Sequence, residues 1–402
     1  MKLLVYSHYF APSVGGVETI VMSLADGLAA LRLPDGAPRF EITLITNTPS
    51  GEFDDAALPF SVIRQPGFLR LAGLIWHCDV LHVAGPALLP LLLGYLFRKP
   101  VVLEHHGYQA VCPNGLLLHQ PDRVVCPGYF QAHEYSKCVS CQASEMSRAK
   151  AIAHLLMMFP RQFLVRRVAA NIAVSKHVER RVDVPRTTRI LHGIETSLTR
   201  SSADAPGASP DKIQFAYVGR FVAEKGISTI LEAVSLLKRR QDFQLRLIGD
   251  GPLRGELQNL ISARQLQGCV QITGFLRGSD LAKALNEVSV VVIPTIMEET
   301  AGLAAMEQMM RGRLVIASAI GGLGETVGEG GLLFPPGDAE ALASCMNRIL
   351  EDRALLDAIG AKARQRAVTL FSRERMIQNH ACLYAGLIPE HVKNSRTAEP
   401  IT

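Results

Sequence analysis

The stretch VVVIPTIMEETAGLAAME, residues 290–307, decides how this chain folds. Val290–Pro294 is a continuous apolar run closed by proline. Such a run suits a strand of a parallel sheet covered on both faces. A short loop carrying Glu299 follows, and a helix opens near Gly302. The bare N–H groups and positive dipole end of that helix suit a diphosphate. A carboxylate ahead of the helix can accept hydrogen bonds from sugar hydroxyls. Glu307, about one and a half turns in, can reach ribose hydroxyls, as acidic residues do in dinucleotide sites. The plainer alternative for the two carboxylates is helix capping plus surface charge.

Outward from this stretch the same strand, glycine turn and helix recur. Strands are expected at 213–218, 244–248, 270–273 and 315–318 in the second half, and at 3–7, 42–46, 61–64, 80–83, 101–104, 171–174 and 189–192 in the first. Val17, Ile20, Val21, Leu24, Ala25 and Leu28 fall at helical spacing. Residues 196–212, rich in Ser, Ala, Pro and Asp, read as a linker between two α/β domains, 1–195 and 213–370. A helix at 371–388 is expected to pack back on the N-terminal domain, ahead of a polar tail at 389–402.

With 402 residues, nearly half of them apolar, the chain can bury two large cores. A net charge of +5 is too mild for a nucleic-acid partner and fits an enzyme that binds phosphates or visits an anionic membrane. No secretory signal is visible in MKLLVYSHYF, so a cytoplasmic location is expected. The apolar run 80–97 splits at its prolines into a strand and a short helix rather than one membrane span. Residues 151–170 combine apolar residues with Arg161, Arg166 and Arg167. They read as a core helix broken near Pro160, or as a segment lying on an anionic leaflet at its cytoplasmic face.

Three further motifs carry chemistry. Gly15-Gly16 opens the first helix and lets backbone approach a ligand. Gly219-Arg220 and Lys225-Gly226 bound a loop after strand 213–218, offering a planar fork and a mobile point charge to phosphate oxygens. Gly249-Asp250-Gly251-Pro252 forms a tight turn. Four of the eight cysteines, Cys112, Cys126, Cys138 and Cys141, lie in an insertion at about 108–146. Cys138-x-x-Cys141 is a half-site for structural zinc that the other two could complete; reduced thiols and disulfides are the alternatives.

This ordered set, with Gly312–Gly322 and Gly330-Gly331-Leu332-Leu333-Phe334, resembles the retaining GT-B glycosyltransferases of family 4. The resemblance implies two Rossmann-like domains facing across a cleft. It implies Arg220 and Lys225 on the donor diphosphate, Glu299 on the donor sugar and Glu307 on the ribose. Gly302 and Leu303 add phosphate contacts, and Gly16 and Leu276 also touch the donor. His106 matches a histidine beside the reacting sugar, although this chain has His106-Gly107 where the family often has His-Asp, and His192-Gly193 where Asn-Gly is usual. The implied activity is transfer of a sugar from a nucleoside-diphosphate sugar to a hydroxyl of a glycan or lipid-linked saccharide. Configuration is retained by a front-face route, in which the leaving phosphate accepts the acceptor's proton. No Asp-x-Asp triplet is present to hold a metal on the diphosphate. Cationic side chains and helix ends are expected to supply that charge instead, with no cofactor. A nucleotide-sugar epimerase of related fold, or a non-catalytic nucleotide-sugar-binding protein, are the competing readings.

Overall fold

The computed structural model describes residues 1–198 and 212–388. The linker reading falls largely outside these residues, and the 389–402 tail wholly so. The chain forms two compact units. One comprises Met1–Leu116, Gly128–Gly193 and the segment from Ser372 onward; the other comprises Leu117–Pro127 and Ile194–Phe371. The expected insertion at 108–146 is therefore divided between the two.

The first unit holds a seven-stranded parallel sheet. Its strands are β1 (Lys2–Ser7), β2 (Glu41–Thr46), β3 (Ser61–Arg64), β4 (Val80–Ala84) and β5 (Val101–His105), then β8 (Ala170–Ala173) and β9 (Thr187–Arg189). They lie in the order β3-β2-β1-β4-β5-β8-β9. A two-stranded hairpin, β6 (Leu118–His119) and β7 (Val124–Val125), intervenes in sequence. β1, β4 and β5 are buried at nearly every position, as continuous apolar strands covered on both faces must be.

The first helix, Gly16–Ala30, buries Ile20, Val21, Leu24, Ala25 and Leu28, the stripe the spacing predicts. Against it packs Arg373–Gly386: Arg373 donates to the Ser23 hydroxyl and pairs with Asp26.

Two expectations need correcting in this unit. The strand predicted at 189–192 stops at Arg189. Gly193 lies so close to the last helix that an added Cβ would sit 2.6 Å from the Ser372 carbonyl oxygen, and this approach draws His192 off the sheet. The helix expected to break near Pro160 instead runs unbroken from Arg148 to Val165. Pro160 costs it one backbone hydrogen bond, while Ala151, Leu155, Met158, Leu164 and Val165 anchor its buried face. Among the described residues no helix is long and apolar enough to cross a membrane.

The second unit holds a six-stranded parallel sheet: β10 (Ile213–Val218), β11 (Phe243–Ile248), β12 (Val270–Gly274), β13 (Val290–Ile293), β14 (Leu314–Ser318) and β15 (Leu332–Phe334). The order is β12-β11-β10-β13-β14-β15. Phe215, Tyr217, Phe243, Leu245, Val290, Val292 and Ile316 join residues of the flanking helices in one core. Each such side chain contributes roughly 1.5–3 kcal/mol on burial. Both sheets are doubly wound and Rossmann-like. In each, strand order reverses beside the first strand, and open α/β sheets bind ligands at the carboxyl edge of that reversal.

Candidate active site

In the second sheet the reversal lies between β10 and β13, which are hydrogen-bonded neighbours. The loop after β10 carries Gly219-Arg220 and Lys225-Gly226, and the loop after β13 carries Glu299 and Gly302. Chain topology thus brings together the two motifs that were 74 residues apart in sequence: Lys225 Nζ donates to Glu299 Oε1 at 2.6 Å.

Backbone contacts lace these loops together. The Glu224 carbonyl accepts from Ile296 N–H and from the Thr295 hydroxyl, each at 3.0 Å. Gly226 takes a left-handed conformation, and a Cβ there would lie 2.1 Å from the Pro294 carbonyl oxygen. Gly321, also left-handed, passes over Glu299, where a Cβ would lie 2.6 Å from the carbonyl oxygen, and that carbonyl accepts from Gly322 N–H at 2.7 Å. Glu299 is therefore held through its main chain by the Gly321–Gly322 turn. Among the described residues, its side chain accepts from Lys225.

The helix Leu303–Met310 starts from Gly302 at φ +74°. The Gly302 carbonyl accepts from Ala305 and Met306 N–H. The N–H groups of Leu303 and Ala304 belong to the first turn, which has no intrahelical acceptors. Glu307 lies on this helix, and burial pushes its carboxyl above the usual range, opposed only in part by Arg311. Arg220 is exposed, and its carbonyl accepts from the Tyr217 hydroxyl at 2.8 Å. Burial first, then Glu299, raises the Tyr217 phenol, so it stays a neutral donor. Tyr217 was not singled out from sequence, because a tyrosine on a buried strand reads as core. Leu276 is half-buried after β12, two strands from β10 on the same sheet edge.

The first unit gathers a different set. Gly16 begins the helix that follows β1. His106, just past β5, is nearly buried, and its Nε2 lies 3.6 Å from Glu104 Oε2. Glu104 is itself fully buried, and His82, His192 and His380 also face it. Burial opposes ionisation of Glu104. The neighbouring His106, then His192, His380 and His82, outweigh that and hold the carboxyl well below the usual range. Burial pushes the His106 imidazole down to about 3 and also lowers His82. Sequence reading found His106 and noted His192 but missed Glu104, His82 and His380. A carboxylate inside the apolar run VVLEHH was the available signal.

Cys112, Cys138 and Cys141 are buried in the first unit and Cys126 is buried in the second. The Cys112 thiol donates to Asn114 Oδ1 at 2.9 Å, and Asn114 Nδ2 lies 3.5 Å from Cys141 Sγ.

Comparison with known proteins points the same way as this geometry. Residues 200–366 match the family described as Glycosyl transferases group 1. A segment of 173 residues is 35% identical to an alpha-D-kanosaminyltransferase of Streptomyces kanamyceticus, covering 42% of this chain and 40% of that protein. The chain spans about half the length of the curated relatives it matches. Sucrose-phosphate synthase from Thermosynechococcus elongatus has a similar structure, with a TM-score of 0.72 at 24% identity over 96% of this chain and 98% of that one. The Anabaena protein HepE, solved in complex with UDP, gives 0.72 at 18% identity over 96% and 100%. The chain thus has the GT-B fold, and its residues 200–366 are similar to the glycosyl transferases group 1 domain.

Proposed function

We propose that this protein is a glycosyltransferase. It moves a sugar from a nucleoside-diphosphate sugar to a hydroxyl of a glycan or lipid-linked saccharide, with retention of configuration and no metal on the donor phosphates. The observation that carries this reading is the Lys225–Glu299 pair at the β10/β13 reversal, beside the first turn of the Leu303–Met310 helix. A diphosphate arriving at that helix end competes for Lys225 and releases the Glu299 carboxylate for sugar hydroxyls. Arg220 adds a second cation, Leu276 packs on the nucleotide, and Glu307 accepts from the ribose. Charge developing on the departing diphosphate is met by two cations and first-turn N–H groups. Gly16 and His106 serve the sugar and acceptor from the first domain. The front-face route gives the acceptor proton to the leaving phosphate oxygen, so no side chain is needed as a covalent nucleophile. A UDP-bound and a UDP-glucose-bound HepE of the same fold support a nucleotide-sugar donor.

A panel of nucleotide sugars tested by thermal shift checks the reading. A donor at 100 times its Kd adds about 2.7 kcal/mol of stability. The matching donor should raise Tm in the wild type and far less in Lys225→Ala. No shift with any nucleotide sugar rejects the proposal.

The acceptor side is compatible with a cytoplasmic enzyme resting on a membrane. Ile152, Leu156, Met157, Phe159 and Phe163 are all exposed on the Arg148–Val165 helix, and Arg167 stacks over Phe163 at 3.5 Å. Apolar side chains bordered by arginines suit an anionic leaflet, and flotation that ignores anionic lipid content removes this part.

A further inference from the structure

Glu104 and the rings around it are arranged in a way that hydrogen bonding does not explain. Nε2 of His82 lies 3.3 Å from Glu104 Oε2, that of His380 3.5 Å and that of His106 3.6 Å, while His192 Nε2 lies 3.5 Å from Oε1. Neither Glu104 oxygen has a partner in hydrogen-bond geometry, nor do the Nε2 atoms of His82, His192 and His380, and all of these atoms are buried. An N–H···O bond closes to about 2.7–3.2 Å. Ligands about 2.1 Å from a tetrahedral metal ion stand about 3.4 Å apart. The observed separations fall around the second value.

The tautomer of His380 sharpens the point. Its Nδ1 lies 2.9 Å from the Met376 carbonyl oxygen, which can only accept. Nδ1 therefore carries the proton, and in the neutral ring the Nε2 lone pair faces the carboxylate. Two lone pairs opposed in a dry pocket repel each other unless positive charge lies between them. An outer nitrogen tied to a backbone carbonyl, with the inner one turned to a carboxylate, is also the arrangement that orients metal-binding histidines.

We propose that the first domain binds a divalent transition-metal ion of the zinc type. Glu104, His106 and His192, whose ligand atoms lie within 4.8 Å of one another, hold the ion. His380 moves in as the fourth ligand. His82, whose Nδ1 sits 2.9 Å from the Tyr384 hydroxyl, steadies the carboxylate. The ion neutralises the buried charge and fixes the His106 ring. Held by buried side chains of one unit, the ion acts on that unit's structure.

The test loads the metal-stripped full chain with Co(II), without nucleotide, so its outcome does not depend on glycosyl transfer. Binding of about one equivalent is expected, with visible d–d absorption from nitrogen and oxygen ligands and a rise in Tm. His192→Ala and Glu104→Gln should each weaken that binding at least tenfold, comparable to or beyond the loss of a supporting partner. Should either variant misfold, the wild-type spectrum still decides. No Co(II) binding overturns the proposal. So does a spectrum showing only thiolate-to-cobalt absorption, which would assign the ion to the cysteines. Equally fatal is a His380→Ala protein that loses stability while its Co(II) affinity stays at the wild-type value, because His380 would then be a protonated counter-charge.

Discussion

The carboxyl edges of the two sheets place a carboxylate beside cationic or basic groups in opposite ways. In the second unit Lys225 and Glu299 make a short hydrogen bond and both remain partly open to solvent. In the first, Glu104, His82, His192 and His380 are buried, and the Glu104 oxygens stop short of hydrogen bonding with the Nε2 atoms of these three histidines. An accessible pair can exchange partners with an arriving ligand at small cost. The fully buried Glu104 carboxylate cannot exchange partners in that way, and the proposed ion answers its geometry. On the proposed readings, the same fold offers one edge for exchange with a ligand and another for a fixed ion.

Substitutions can break this contrast, and the largest effect should come from Lys225→Ala. Loss of one preorganised charge donor should lower kcat/KM by about 10²–10³-fold, measured by initial rates with the donor found in the thermal screen. A loss below threefold would remove Lys225 from the phosphate site. Gly226→Ala should follow. It forces a left-handed alanine whose Cβ meets the Pro294 carbonyl, costing roughly 2–4 kcal/mol of stability. Urea unfolding would reveal it, and an unchanged midpoint would mean that the two loops are not laced as described.

The smallest effect belongs to Glu307→Gln. The Glu307 carboxyl is raised by burial. Its contribution to stability is therefore full below the unfolded value near 4.5 and is lost as pH rises toward the folded value. The glutamine variant escapes that loss, so at pH 7 its ligand-free Tm should exceed the wild type by about 2–4 °C, the shift expected from 1 kcal/mol in a domain of this size. The gap should shrink as pH falls toward 4.5. Bound nucleotide should reverse the order, since ribose hydroxyls favour the ionised carboxylate. A pH-independent gap would contradict the burial argument.

What could be read from sequence follows from what chain order encodes. Gly219–Gly226 and Glu299–Gly302 were legible because a parallel strand delivers whatever follows it to the ligand-binding edge, so adjacency in sequence implies placement. Gly16 and the stripe on the first helix were legible for the same reason. The surroundings of His106 were not. His82, Glu104, His192 and His380 come from two strands, a loop and the last helix, and no local period links them. Nor did a proline rule foresee the helix through Pro160, because packing along its buried face outweighed one missing hydrogen bond. The strand predicted at 189–192 failed where a remote contact, Gly193 against Ser372, decided the path.

The return of the last helix to the first unit has a consequence for how the protein is made. His380 and Tyr384, which stand beside Glu104 and His82, emerge from the ribosome after every strand of both sheets. Until then the growing chain exposes a buried-type carboxylate and the groove over Ser23 and Asp26 with nothing to cover them. The second unit, already whole in sequence by Phe371, can fold first. Closure of the N-terminal half thus waits until the Arg373–Gly386 helix has been made, and a fragment stopped at the linker would lack the part that seals it.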